Sequence, residues 1–149
     1  MGWSGADRGE VTLPASSRTA ACTAADARAR LQTARAYLEV AELVLCEKER
    51  DEYLNVAAGL AVLAGIAASD CICCARLRSR HRGDDHRGAA DLLRTATPDG
   101  GSLSRTLLRL LDLKDEAHYG VMVVAARRAR DAVRWAATLV DRAGQETER

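Results

Sequence analysis

The feature that most constrains this chain is a long apolar stretch near its centre, built mostly from small residues. It runs from Val56 to Ala68, is rich in Ala and Gly, and lies between Asn55 and Asp70. A helix that crosses a bilayer needs about 20 apolar residues, which is longer than this stretch. The sequence therefore predicts a buried core helix and no membrane segment.

The spacing of apolar residues extends this helix to about residues 52–77, and its glycines indicate close packing. Gly59 and Gly65 each cost about 1 kcal/mol of helix stability relative to Ala, so we expect them to admit a neighbouring helix. Asp70 would be an acid on an otherwise apolar stripe. The residues expected on this core-facing stripe are Val56, Leu60, Leu63, Ala67, Asp70, Cys74 and Leu77.

Four further segments show helical spacing, and the sequence contains no convincing strand. Thr23 or Asp26 is suited to cap a helix that ends near Glu47, and a short helix is expected over about 86–95. Pro98, Gly100 and Gly101 then break the chain before helices over about 102–120 and 124–143. Because Phe is absent, Leu, Val and Ala must form the core. The predicted fold is an all-α bundle of about five helices.

A chain of 149 residues fits a single domain. Residues 1–22 lack apolar periodicity and are expected to be a flexible leader without the features of a secretory signal. Residues 23–143 would form the helical bundle, and residues 144–149 a flexible tail. The net charge of +1 points to no particular partner.

The cysteines indicate a reduced protein rather than a disulfide framework. Their number is five, and Cys71, Cys73 and Cys74 fall within one turn of a helix, where they cannot cross-link distant elements. Only Cys71 and Cys74 share a face, and no second cysteine pair is present to complete a zinc site. We therefore expect a cytoplasmic protein without a metal or cofactor.

One candidate site lies near the end of the predicted fourth helix. Lys114 and His118 are spaced i and i+4 on the stripe that Leu107 and Leu111 make apolar. A cation beside a histidine lowers the histidine pKa and suits it to act as a general base, while the lysine could stabilise a phosphate. The structural alternative is that Lys114 reaches solvent and that His118 is hydrogen-bonded within the fold, for example to Asp70.

A second candidate site is the basic segment that precedes the short helix. Arg80 and Arg82 lie six and four residues before His86, so the arginines would hold a phosphate and His86 would transfer a proton. The alternative is a solvated loop in which Asp84 and Asp85 cap the helix that follows. The two interpretations are compatible with each other.

With these residues, the chain resembles the HEPN superfamily of small helical bundles over about residues 27–143. The similarity lies in the segment ARAYLEVAELVL, the Ala-rich second helix with Asp70, His86 at the start of the third helix, LKDEAHYG, and a closing Ala/Arg helix. The resemblance implies a homodimer that acts in toxin–antitoxin or defence systems and, in active members, cuts RNA without metal. Those members use an Arg, four to six residues, then a His; the pair Lys114 and His118 departs from this motif in residue type and in spacing.

The sequence thus supports a HEPN-like, RNA-linked module that is non-catalytic or weakly active, with a cognate antitoxin or other protein as partner. Its expected catalytic residues are Lys114, His118 and Asp70, and the residues expected to bind substrate are Arg80, Arg82 and His86. The alternatives are a metal-independent endoribonuclease and a purely structural protein-interaction bundle. A DNA-binding regulator would need a helix-turn-helix pattern, which the sequence does not show.

Overall fold

The computed structural model describes residues 18–47, 50–118 and 124–149, with backbone only for residues 115–118. It confirms the all-α bundle of five helices and adds two short strands that the sequence analysis did not predict. In chain order the elements are β1 (Thr19–Ala21), α1 (Ala24–Leu45), α2 (Asp51–Leu77), β2 (Ser79–His81), α3 (His86–Ala96), α4 (Gly100–His118) and α5 (Ala126–Thr147).

Helix α2 is the centre of the bundle and packs against each of the other helices. Every residue from Ala64 to Cys74 is buried, which is possible because most of them are small. At Gly65, an added Cβ would collide with the side chain of Leu110 and contact Leu139 at 3.4 Å. The expectation that Gly65 admits a neighbouring helix is therefore confirmed, with α4 as that neighbour.

The predicted core stripe of α2 is wrong at two positions. Val56 and Leu63 are 47% and 36% exposed, whereas Ala57, Ala61 and Ala64 are fully buried. Helices on both sides of α2 approach closely where its side chains are small, so Ala residues take these core positions while Val56 and Leu63 lie at the outer surface. With Val40 and Leu43 of α1, Val56 and Leu63 are the large apolar side chains exposed in the described part of the chain.

Helix α2 is also the one described helix that is long and apolar enough to cross a membrane. Of its most apolar window, 78% is buried inside the bundle. The core helix of a water-soluble protein meets the same criterion of length and composition, so this finding is weak evidence for a membrane segment.

Helices α1 and α3 begin at residues that the sequence predicted as caps, Thr23 and Asp85. Thr23 caps α1 in a reciprocal arrangement with Asp26, in which each side chain accepts a hydrogen bond from the other residue's backbone N–H, at 2.8 and 3.1 Å. Asp85 caps α3 by accepting from the N–H of Arg87 at 3.1 Å. The capping interpretation of the basic segment is therefore confirmed for Asp85.

Both ends of the expected domain differ from the observed one. Strand β1 and Cys22 lie within the expected leader, yet β1 pairs antiparallel with β2, with Ala20 opposite Arg80. Helix α5 continues to Thr147, beyond the expected boundary at residue 143, and Glu146 in this last turn is only 4% exposed. Arginines that pair with Glu146 stabilise this turn, although its composition is polar. Residues 1–17 lie outside the described part of the chain.

The tight junction between α3 and α4 requires Gly100. A Cβ at this position would overlap the backbone carbonyl groups of Leu93 and Arg94, which cannot move without disturbing α3. The neighbouring Gly101 has open space, with only the end of the Arg105 side chain nearby.

We predict that Gly100→Ala lowers the free energy of unfolding by about 1–3 kcal/mol because of this overlap. Gly101→Ala is the matched control and should leave the free energy of unfolding unchanged or raise it by up to about 1 kcal/mol. Urea denaturation of the three proteins measures both effects. Equal stabilities for the two variants would contradict the close approach of the backbones.

Candidate functional site

The candidate site is built around a carboxylate that α2 carries into the core. Asp70 is 8% exposed, and its Oδ2 accepts a hydrogen bond from the Nη2 of Arg30 on α1 at 3.0 Å. A buried carboxylate is strongly destabilising unless a cation and hydrogen bonds compensate it. Arg30 supplies both, with about a third of its own side chain still exposed.

Burial nevertheless dominates the titration of this acid. It raises the pKa of Asp70, although the positive charges of Arg30, Arg80 and His86 act in the opposite direction. Residues from α1, β2 and α3 are thus close enough to influence one carboxyl group on α2. We call Asp70, Arg30, Arg80, His86 and Lys114 the Asp70 cluster.

A disulfide helps to position Arg80 in this cluster. Cys22 is bonded to Cys74 in the last turns of α2, and the backbone N–H of Cys22 donates to the carbonyl of Arg78 at 3.0 Å. The expectation that all cysteines are reduced is wrong for this pair, because β1 brings Cys22 within bonding distance of Cys74. Three of the five cysteines, Cys46, Cys71 and Cys73, are free thiols.

The other two cysteines of α2 are buried thiols. Burial raises the pKa of Cys71 to about 11 and that of Cys73 to about 12, so both are protonated at neutral pH. In this protonated form both side chains pack as small core residues, since the thiolate is the reactive and metal-binding form. The described residues contain no group of three or more His, Cys, Asp or Glu side chains that could hold a metal ion.

His86 is the first residue of α3 and lies half-buried between the Asp70 side of the bundle and α4. Burial lowers the pKa of His86 below 6.5, and the positive charge of Lys114 lowers it further. Asp70 acts in the opposite direction. At neutral pH His86 is therefore an uncharged imidazole, the form that can accept a proton.

A shallow pocket of about 150 Å³ opens beside His86. Its lining combines two acids at the start of α3 with Lys114 and Leu111 of α4. Arg87, also in the lining, donates to Asp112 at 2.8 Å and so ties α3 to α4 at the surface. The pocket lining contains the imidazole of His86 and the ammonium group of Lys114, and its two acids balance the charges of Lys114 and Arg87.

His81 at the end of β2 packs directly on this helix start. Its ring occupies the space that a Cβ at Gly88 would fill, with Nδ1 at 2.9 Å from that position. Its Nε2 is buried and has no hydrogen-bond partner among the described residues. His81 also lowers the pKa of His86, though less than burial and Lys114 do. Gly88 is therefore needed for β2 to approach α3.

The structure brings together residues from both predicted sites. Asp70 is linked to Arg80 and His86, and His86 to Lys114, so four of the six expected site residues belong to the Asp70 cluster. Arg82 is exposed, and its backbone N–H donates to the carbonyl of Arg18 at 2.9 Å. No described contact joins its side chain to the cluster. His118 is the last residue of α4, and its side chain lies outside the described part of the structure.

Arg30 is the site residue that the sequence analysis missed. The signal was present, because a buried acid on α2 requires a cation on a packed neighbour, and Arg30 precedes Leu31 on the buried side of α1. The spacing within α1 alone could not show that this residue meets α2.

No family model matches the chain, and no curated protein matches it either. The resemblance to the HEPN superfamily therefore rests on the sequence features described above.

We predict that Lys114→Gln raises the pKa of His86 towards 6.5, since the substitution removes a nearby positive charge. Asp70→Asn should lower it further, because the negative charge that favours the imidazolium is lost. The titration of the imidazole C–H resonances by NMR measures both shifts, with His86→Gln to assign the signal.

The charge-preserving variant Lys114→Arg is the control and should leave the His86 titration close to that of the unaltered protein. If Lys114→Gln and Asp70→Asn both left the midpoint unchanged, the three side chains would not form one electrostatic cluster.

Proposed function

We propose that this chain is a HEPN-like helical module that contacts a phosphate of RNA through the Asp70 cluster, in a system of the toxin–antitoxin or defence type. The observation that supports the proposal is that Arg80 and His86 act on one buried carboxylate and that Lys114 lines the same pocket as His86. These residues come from three different elements of the chain. Side chains that meet in this way are more typical of a binding site than of a solvated surface.

The pairing within the cluster favours an anionic ligand. Asp70 is compensated mainly by Arg30, whose guanidinium is at hydrogen-bond distance. No ion pair joins Lys114 to another described residue, so its ammonium is available to a ligand. Asp84 and Asp85 at the pocket rim reduce the local positive charge. We therefore expect contact with one phosphate rather than with a long stretch of RNA backbone.

Arg80 has a second role that limits its part in binding. The pKa of Asp26 is lowered by hydrogen bonds with Thr23 and, to a smaller extent, by the charge of Arg80. Arg80 thus balances acids on α1 and α2 as well as facing the cluster. In the proposal, Lys114 makes the main contact with phosphate and Arg80 provides longer-range attraction.

The second candidate function is metal-independent cleavage of RNA, and the lowered pKa of His86 favours it. A neutral imidazole could take the proton from a ribose 2′-hydroxyl as its oxygen attacks the adjacent phosphorus; the 5′-oxygen leaves with a proton from water, and a 2′,3′-cyclic phosphate forms. Lys114 would stabilise the negative charge on the phosphate oxygens. Arg80, with five residues between it and His86, stands at the arginine-to-histidine spacing that the HEPN resemblance implies.

A homodimer and a cognate protein partner belong to the same proposal. Self-association would bury exposed apolar side chains of α1 and α2, namely Val40, Leu43, Val56 and Leu63. The cytoplasmic location stays a prediction from the sequence.

We predict that the double variant His86→Gln with Lys114→Gln weakens RNA binding by about tenfold, since a hydrogen bond to a charged group contributes about 1.5–3 kcal/mol. Arg94→Gln is the control, because Arg94 lies on the exposed side of α3 and pairs with Asp91 at 3.7 Å and with no other residue in the described part of the chain. Binding is measured with labelled single-stranded RNA in chelator-treated buffer, and cleavage is followed in the same samples.

Cleavage that is lost in His86→Gln alone would select the endoribonuclease over the binding module. Equal RNA binding by the double variant and the control would exclude the Asp70 cluster and favour the purely structural interaction bundle. Sedimentation equilibrium on the same samples tests the homodimer, which a monomeric mass at micromolar concentration would rule out.

A further inference from the structure

A second polar pocket lies where the start of α1 meets the ends of α2 and α5, and its volume is about 170 Å³. Its charged lining consists of Arg28, Arg78, Arg149 and Glu146, and Ala24 and Ala27 of α1 form one wall. We call it the Glu146 pocket. It shares no residue with the Asp70 cluster or with the pocket beside His86.

The only acid in the lining is already neutralised. The carboxylate of Glu146, whose side chain is 1% exposed, accepts a hydrogen bond from Nε of Arg142 at 2.9 Å. Arg76 and Arg149 each approach its other oxygen at 3.5 Å. Arg142 also donates a pair of hydrogen bonds to Asp99, which fixes it between α5 and the start of α4. Three guanidinium groups therefore surround one buried carboxylate.

Two further arginines of this pocket have no counter-charge. Among the described residues, no hydrogen bond or ion pair engages the guanidinium group of Arg28 or of Arg78. Both side chains are exposed at the pocket opening. The site thus presents a net positive charge within a small concave volume, which is the environment that binds oxyanions.

The backbone of Arg78 is held in an unusual conformation at the pocket. Its φ is 54°, the left-handed region that favours Gly and is uncommon for residues with a Cβ. Its N–H donates to Cys74 at 3.1 Å, and its carbonyl accepts from Cys22, so the two residues of the disulfide fix it on both sides. The end of α2 would be more stable with Gly at position 78, yet it carries Arg78, whose side chain lines the pocket.

We propose that the Glu146 pocket binds a phosphate monoester group, through Arg28 and Arg78. A monoester carries a charge of about −1.5 to −2 at neutral pH, which two unpaired guanidinium groups match, whereas a backbone phosphodiester carries a single charge. The planar fork of each guanidinium can donate two parallel hydrogen bonds to phosphate oxygens. The group can come from inorganic phosphate or from the 5′ end of a nucleic acid strand.

The test is calorimetric titration of the full chain with inorganic phosphate, and in parallel with an RNA oligomer carrying either a 5′-phosphate or a 5′-hydroxyl. Arg78→Gly removes one guanidinium and relieves the left-handed backbone, so this variant should fold at least as well as the unaltered protein. Arg28→Gln removes the other guanidinium, and Arg94→Gln is the matched surface control.

Each of the first two variants should weaken phosphate binding by about tenfold or more, with no effect of Arg94→Gln. Loss confined to the 5′-phosphorylated oligomer identifies a strand end as the source, and loss with inorganic phosphate identifies the free ion. Absence of binding to any phosphate probe, or binding unchanged in Arg78→Gly, overturns the proposal. The double variant at His86 and Lys114 should retain this binding, so failure of the RNA proposal and failure of this one are distinguishable.

Discussion

The packing of helix α2 against all the other helices is the constraint on which the rest of the structure depends. Close approach on several sides is possible only where side chains are small, and from Ala64 to Cys74 the helix is buried without interruption. At Gly65 there is no space for a side chain, because a single methyl group there would overlap Leu110 of α4. The same packing moves the larger apolar residues Val56 and Leu63 to the outside.

A charged residue within such a helix organises its neighbours. Asp70 is almost fully buried, so Arg30 of α1 compensates its charge, and Arg80 and His86 belong to the same electrostatic network. Glu146 at the end of α5 repeats this arrangement with arginines from α2 and α5. Basic residues therefore surround two separate buried acids, Asp70 and Glu146. Each of the two sites includes cations that line a pocket.

The sequence was sufficient to predict the five helices but not the contacts that join them. Helical periodicity, the Thr23 cap and the Asp85 cap predicted all five helices, because these signals are local. The strands, the bond between Cys22 and Cys74, and the pair of Arg30 with Asp70 depend on contacts between residues 40 or more positions apart, and periodicity contains no information on them. The shared pocket of Lys114 and His86 is likewise a contact between separate helices, which the periodicity within each helix does not show.

The most direct test of this account is native-state hydrogen exchange of the backbone amides. If α2 is the centre of a cooperative core, its amides from Ala64 to Cys74 should exchange only through global unfolding, with a free energy equal to that from denaturant titration. Amides of α3, which packs on one side of the bundle, should exchange through smaller openings. Exchange of the α2 amides as fast as those of α3 would contradict the central position of α2 and, with it, the buried environment of Asp70.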